Sequence, residues 1–162
     1  TTLLFYLSKI IYTIDQYTQM GSLTIKKGVA MSKQTLQLHS TAFTIHSLDV
    51  DSEIPAALFK QSMFIIAKTN DELSIVCPSQ FAIESLDAEH DWRALEVIGP
   101  LGFSLTGIMA NISGVLATAN ISIFAISTYD TDYVLVKQQR IKDAISALKK
   151  DGYQFLNEPK LT

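Results

Sequence analysis

The amino-acid sequence predicts an α+β fold in which two helices pack on one face of an antiparallel sheet. Its second half carries two stretches with apolar side chains at helical spacing, residues 104–119 and 140–150. Apolar or alternating runs typical of strands flank them, at residues 92–98, 121–127, 133–137 and 153–156. The resulting order is strand, helix, strand, strand, helix, strand, which is the ferredoxin-like βαββαβ motif.

The ends of both predicted helices carry recognisable stop and start residues. Ser104 is placed to cap the first helix, and Asn120 suits the left-handed position after its end. Gly152 ends the second helix. The inward-facing residues of the two helices are Leu105, Ile108, Ile112, Val115, Leu116 and Ala119, then Ile141, Ala144, Ile145 and Leu148.

The first half of the chain is predicted to form strands with little helix. Alternating runs occupy residues 35–39 and 43–48, and a turn at 69–72 joins the apolar runs 63–68 and 73–77 into a β-hairpin. Pro78 is expected to stop the last of these strands. Residues 49–55 are predicted to form a loop, residues 56–60 a helical turn, and residues 85–91 an exposed linker.

An internal repeat links the two halves. Shifting the chain by sixty residues places residues 64–76 over residues 124–136 without a gap, so that two segments of strand, acidic turn and strand coincide. The repeat predicts a structural duplication whose first copy is reduced, because the first half has no counterpart of the 104–119 helix.

Composition excludes several classes of protein. The chain has 162 residues, 48% of them hydrophobic and 18% charged, against about 25% charged in an average domain. The single cysteine allows no disulfide framework, and a net charge of −3 gives no basic surface for nucleic acid. Apolar runs are too short to span a bilayer, which takes about 20 residues, so we expect a cytoplasmic protein without membrane contact.

The first thirty residues differ from the rest. Lys9, Lys26 and Lys27 stand against Asp15 alone, and Met31 follows a run whose codons can form a purine-rich ribosome-binding site. We therefore expect Met31 to be the natural start and residues 1–30 to be a leader outside the native protein.

No pattern in the sequence predicts catalysis, a metal or a cofactor. Cys77 ends an apolar strand and is expected to be a buried small hydrophobe. His39 and His46 are predicted on strand surfaces and His90 in the linker, without metal-ligand spacing. The two carboxylates at Asp130 and Asp132 are typical turn residues, and the glycines fit no phosphate-binding loop.

One arrangement does suit a small ligand. The strand 92–98 runs into a Gly-Pro-Leu-Gly-Phe-Ser segment that opens a helix, and a helix start favours a carboxylate. The turn at 127–130 adds hydroxyl groups and the Asp130 carboxylate, which suits an ammonium group. A zwitterionic ligand would match both the helix start and the Asp130 carboxylate. The alternative is that the glycines and Pro100 only turn the chain and Ser104 only caps the helix.

The same segments resemble a known family. Residues 71–78, 92–95, 99–108 and 121–137 are similar to those of small stand-alone bacterial ACT-domain proteins, and to the ACT domains of CASTOR arginine sensors and aspartate kinases. The most specific stretches are Ser-Thr-Tyr-Asp-Thr-Asp-Tyr from Ser127 and Gly-Pro-Leu-Gly-Phe-Ser-Leu-Thr-Gly from Gly99. The resemblance covers about residues 36–155.

The resemblance implies two tandem ACT-like units, a degenerate one at residues 31–90 and an ACT domain at 91–158. It implies that an amino acid or similar small ligand binds between such units, and that no cofactor takes part. The implied ligand-binding residues are Leu101, Gly102, Phe103, Ser104, Leu105, Thr106, Ile123, Phe124, Ser127, Thr128, Asp130 and Asp132. Gly102 stands where many relatives carry Asp, which predicts a weaker or altered ligand preference.

Two functions follow as hypotheses. The first is a non-catalytic regulatory sensor that binds an amino acid, forms a homodimer and acts through a partner. The second is a dimerisation or interaction module without a small ligand, because open sheet edges need cover. A thermal-shift response to amino acids distinguishes the first from the second.

Overall fold

A computed structural model of the chain describes residues 33–99 and 106–156. Residues 1–30, predicted to be a leader, lie outside the described residues. Seven strands, two α-helices and two short 3₁₀ helices follow one another in the described part. In chain order they are β1 (Thr35–Leu48), a 3₁₀ helix (Ala56–Lys60), β2 (Ile65–Lys68), β3 (Leu73–Pro78), β4 (Asp87–Val97), α1 (Ile108–Thr118), β5 (Ile123–Ser127), β6 (Asp132–Lys137), a second 3₁₀ helix (Gln138–Arg140), α2 (Ile141–Lys150) and β7 (Gln154–Phe155).

All seven strands form one sheet, in the order β2-β3-β1-β4-β6-β5, with β7 beside β1. Neighbours are antiparallel except β1 and β7, which pair in parallel through Thr35 and Leu36. The predicted βαββαβ order from β4 onward is confirmed. The start of β1 lies between β7 and β4, because Leu36 pairs with both Phe155 and Val97.

The helices cover one face of the second-half strands, as predicted. Their inward side chains form one buried cluster with residues of β1, β4 and β6, among them Leu36, Leu95 and Val134. On the same face of the first-half strands a second cluster surrounds Leu58, whose 3₁₀ helix and adjoining loops replace an α-helix. The opposite face carries a third cluster around Phe43, Trp92 and Leu135.

Several predicted boundaries were wrong. The runs 35–39 and 43–48 are one strand, β1, because a bulge rather than a turn lies between Leu38 and Ala42. Arg93 donates to the carbonyl of His39 from Nη2 at 2.6 Å and so satisfies the backbone in the bulge. The predicted linker belongs mostly to β4, which begins at Asp87 and contains a second irregularity at Asp91, where φ is 62°.

The hairpins β2–β3 and β5–β6 correspond at an offset of 59 residues rather than 60. Lys68 pairs with Leu73 and Ser127 pairs with Asp132, so each hairpin has a four-residue turn. A slip of one residue moves every side chain to the other face. The offset of 59 places Ile65 over Phe124, and both pack on the helix-free face of the sheet.

Candidate ligand-binding turn and helix start

The turn between β5 and β6 is fixed by its own threonines. The Thr128 backbone N–H and hydroxyl both donate to the Thr131 carbonyl, each at 2.9 Å. In the hairpin of the first half, the Thr69 N–H likewise donates to the Glu72 carbonyl at 2.9 Å. Tyr129 is therefore held at the tip of the turn, 76% exposed, with the exposed Asp130 beside it.

This turn lies against the end of β4. The Thr131 hydroxyl donates a hydrogen bond to the carbonyl of Val97, the last residue of that strand. The predicted ligand loop follows within three residues. The sequence predicts that the turn and this loop belong to one site, and this hydrogen bond holds the turn at the end of β4, where the loop begins.

Helix α1 begins at Ile108 and not at the predicted Ser104. Gly107 occupies the position before the helix with φ of 80°, where a side chain would be strained, and its carbonyl accepts from the Asn111 N–H at 2.9 Å. No acidic residue lies in the first turn. The positive end of the helix dipole therefore carries no compensating carboxylate from its own first turn.

The predicted ligand-binding residues that the structure describes lie on more than one surface. Ile123 packs toward the helices and Phe124 toward the opposite face, because successive strand residues alternate. Ser127, Thr128 and Asp130 are exposed at the turn, and the half-buried Asp132 begins β6. Thr106 is exposed before α1. Leu101, Gly102, Phe103, Ser104 and Leu105 lie outside the described residues.

Sequence reasoning missed a polar cluster on the helix-free face. His39 Nε2 lies 2.7 Å from Glu96 Oε2, and both side chains are half-buried. Burial and the Glu96 carboxylate raise the pKa of the neighbouring Tyr133 hydroxyl. The alternation of side chains along β1, β4 and β6 places these three residues on one face and could have predicted the cluster. The bulge after Leu38 interrupts that alternation in β1, so the sequence pattern did not show it.

The prediction that His46 is a surface residue was wrong. His46 is buried, its Nδ1 lies 3.1 Å from the Ser85 hydroxyl oxygen, and its Nε2 has no partner. His90 lies in β4 rather than a linker, with Nδ1 3.2 Å from the hydroxyl of the buried Thr44. Burial, and then the Coulombic interaction with His90, lower the pKa of His46.

We expect His46 to make the fold acid-sensitive. Its pKa in the folded chain lies below the ordinary value of about 6.5 that the unfolded chain retains. The unfolded state therefore binds more protons below that pH, and stability is lost as pH falls from 7 to 5. In urea unfolding, His46→Gln should show a smaller loss over this range. An equal loss in both proteins would contradict this assignment.

The remaining candidates for chemistry are inert or dispersed. Cys77 is buried as predicted, and burial raises the pKa of its thiol, which disfavours the reactive thiolate. Within residues 33–99 and 106–156, no three His, Cys, Asp or Glu side chains gather as a metal site would require.

Comparison with known proteins agrees with this geometry. The ACT-domain family model matches residues 87–150, from the start of β4 to the end of α2. Residues 87–150 have the ACT-domain fold. A second family model, which describes an N-terminal domain, matches residues 41–83.

Two kinds of relative resemble parts of this chain. The human cytosolic arginine sensor for mTORC1 subunit 1 is 40% identical over 74 residues, which are 45% of this chain and 22% of the sensor. The chain thus spans about a fifth of the curated relative it matches. A crystal structure from Agrobacterium tumefaciens is 29% identical, with a TM-score of 0.71 over 76% of this chain and 92% of that one.

The regulatory subunit of aspartate kinase from Thermus thermophilus shares the fold. Its TM-score is 0.51 at 14% identity, over 70% of this chain and 95% of that subunit. Within the described part of the chain, no helix is both long and apolar enough to cross a membrane.

Proposed function

We propose that this chain is a cytoplasmic, non-catalytic sensor that binds an amino acid beside the β5–β6 turn and acts through a partner. The observation that carries the proposal is the hydrogen bond from Thr131 to the Val97 carbonyl, which holds the turn beside the start of the predicted ligand loop. The Asp130 carboxylate at the turn supplies charge for an ammonium group, and the start of α1 suits a carboxylate.

Arginine is the first ligand to test, because the curated relative is named an arginine sensor. A guanidinium group forms charge-assisted hydrogen bonds with carboxylates, and Asp130 and Asp132 lie two residues apart at the turn. The family resemblance implies that Gly102 replaces an Asp of many relatives, so a neutral amino acid is the next ligand to test.

We also propose that residues 31–90 form a reduced ACT-like unit that pairs with the unit at 91–158. The matched turns of the two hairpins support a duplication, since Thr69 and Thr128 occupy the same turn position. Strand β1 lies within residues 31–90 but contributes Leu36 to the core under the two helices, and β4 crosses the proposed boundary at residue 90. The proposed ligand site would then be completed by another unit of a homodimer.

A thermal-shift screen over the amino acids tests the sensor proposal. Ligand at one hundred times its Kd stabilises the folded chain by about 2.7 kcal/mol, which raises Tm by roughly 5–10 °C for a chain of this size. Asp130→Ala should remove most of this shift. Asp71→Ala is the matched control, because Asp71 occupies the equivalent exposed position in the β2–β3 turn.

A flat response to every amino acid at millimolar concentration would contradict the sensor proposal, and so would equal shifts in both variants. The second candidate function is an interaction module without a small ligand. It is favoured by β2 and β5, which form the two edges of the main strand order among the described strands. A dimer in sedimentation experiments together with a flat ligand screen would support this second function.

A further inference from the structure

A groove opens on the sheet face where the first half has no α-helix. It lies between the loop 49–55, which follows β1, and the segment 83–86, which precedes β4. In the second half the same face is covered by α1 and α2, whereas here the 3₁₀ helix and loops cover it. The groove is at the Asp87 end of β4, and the proposed amino-acid site is at the Val97 end, about 30 Å away along the strand.

The described lining of the groove is negatively charged. The exposed side chains of Asp49, Glu53 and Glu84 line it, and none of its described lining residues is a lysine or an arginine. Within the described residues, the ion pairs involve other carboxylates: Asp151, Glu96, Glu89 and Asp143. Carboxylates that converge on a concave surface attract a cation more strongly than isolated ones do.

The groove also presents apolar side chains on an ordered backbone. Leu86 is 75% exposed, yet its backbone N–H donates to the Ser47 carbonyl at 2.8 Å and so continues the strand pairing. The exposed Pro55 is held by the Leu58 N–H, which donates to the Pro55 carbonyl at 2.9 Å. Because these side chains stand on fixed backbone, a partner would bind them with little ordering cost.

The base of the groove is tied to the buried histidine. Ser85 lines the groove, and its hydroxyl oxygen lies 3.1 Å from Nδ1 of His46. The buried Leu48 packs beneath, within the cluster around Leu58. The groove is thus a fixed concave surface with an acidic rim and apolar walls.

We propose that this groove docks a lysine- or arginine-bearing segment of a partner protein that also presents a leucine-like side chain. Charge complementarity selects the basic residues, and Leu86 and Pro55 contact the apolar one. The surface is small, so the contact is transient, as in many signalling encounters. This docking surface is separate from the amino-acid site and gives the chain a place to engage a partner.

Fluorescence anisotropy of the full chain with a labelled 14-residue amphipathic peptide of lysine and leucine tests the proposal. We expect saturable binding, at least tenfold weaker for the double variant Glu53→Lys with Glu84→Lys. The matched control, Asp143→Lys with Asp151→Lys, makes the same change in net charge on α2 and just after it, and should alter Kd less than twofold. Leu86→Ser, which keeps the charge, should weaken binding severalfold.

Three results would overturn the docking proposal. The first is equal weakening by the groove and control double variants, which would indicate attraction by net charge alone. The second is an unchanged Kd in Leu86→Ser, which would indicate a site for free cations such as spermine. The third is equal binding of a peptide with glutamate in place of lysine. Circular dichroism of each variant verifies the fold, and the amino-acid thermal shift remains a separate measurement.

Discussion

Leu116→Ala should destabilise the chain by about 3 kcal/mol, within the range measured for buried leucines elsewhere. Leu116 is 0% exposed on α1 and packs in the cluster that joins both helices to the sheet. Truncation removes apolar contacts and leaves a cavity that the surrounding side chains fill only in part. Because a domain is stable by only about 5–15 kcal/mol, we expect a large fall in the urea midpoint.

The loss of stability in Leu116→Ala should come from the lost core packing and not from a change in helix propensity. Alanine is the best helix former, and the Leu116 carbonyl, which accepts from the Ile121 N–H at 2.9 Å, is unchanged by the substitution. Asn111→Ala is the matched control, since Asn111 is exposed on the same helix and should change stability by less than about 0.5 kcal/mol. A similar loss in both variants would contradict the packing account.

The second half of the fold was predictable because its patterns are local. Helix α2 begins and ends within one residue of its prediction, since Ile141, Ala144, Ile145 and Leu148 repeat at helical spacing between exposed residues. The alternation in β6 likewise marked its two faces, with Val134 toward the helices and Leu135 away from them. Such periodicities act within one element and depend little on the rest of the chain.

The errors lie where distant residues decide the structure. The strand continues through residues 39–41 because Arg93, more than fifty positions away, donates to the His39 carbonyl. Likewise, Lys137 donates to the carbonyl of His90 at 2.8 Å, within the segment predicted to be a linker. Local polarity suggested breaks at both places. Local polarity does not show that these distant side chains donate hydrogen bonds to the backbone. The strands β1 and β4 were therefore predicted to be shorter than they are.

The candidate site was predictable in part. The Thr-Tyr-Asp-Thr turn was recognisable from turn chemistry, and the threonine bonds at Thr128 and Thr131 bear this out. The bond from Thr131 to Val97 joins residues thirty-four positions apart and was not visible in any local pattern. His46 was missed for a similar reason, because Ser85 and the loop that buries it are distant in sequence.

Phe43→Ala should cost about 3–5 kcal/mol and should affect both halves together. Phe43 is 1% exposed, and its position on β1 pairs with Pro78 of β3 on one side and Trp92 of β4 on the other. Its cluster also includes Leu135 of β6, so the cavity would adjoin strands from both hairpins. Ser47→Ala, at an exposed position of the same strand, is the control and should be nearly neutral.

Two probes show whether the halves are one cooperative unit. Trp92 is the single tryptophan and reports on the Phe43 cluster, whereas far-ultraviolet circular dichroism is dominated by α1 and α2. Because β4 pairs with β1 of the first half and with β6 of the second, we expect the two signals to change at one urea midpoint in the native chain and in Phe43→Ala. Separate midpoints in the native chain would mean that the first half unfolds independently, and the ligand-induced stabilisation would then have to be measured for each half.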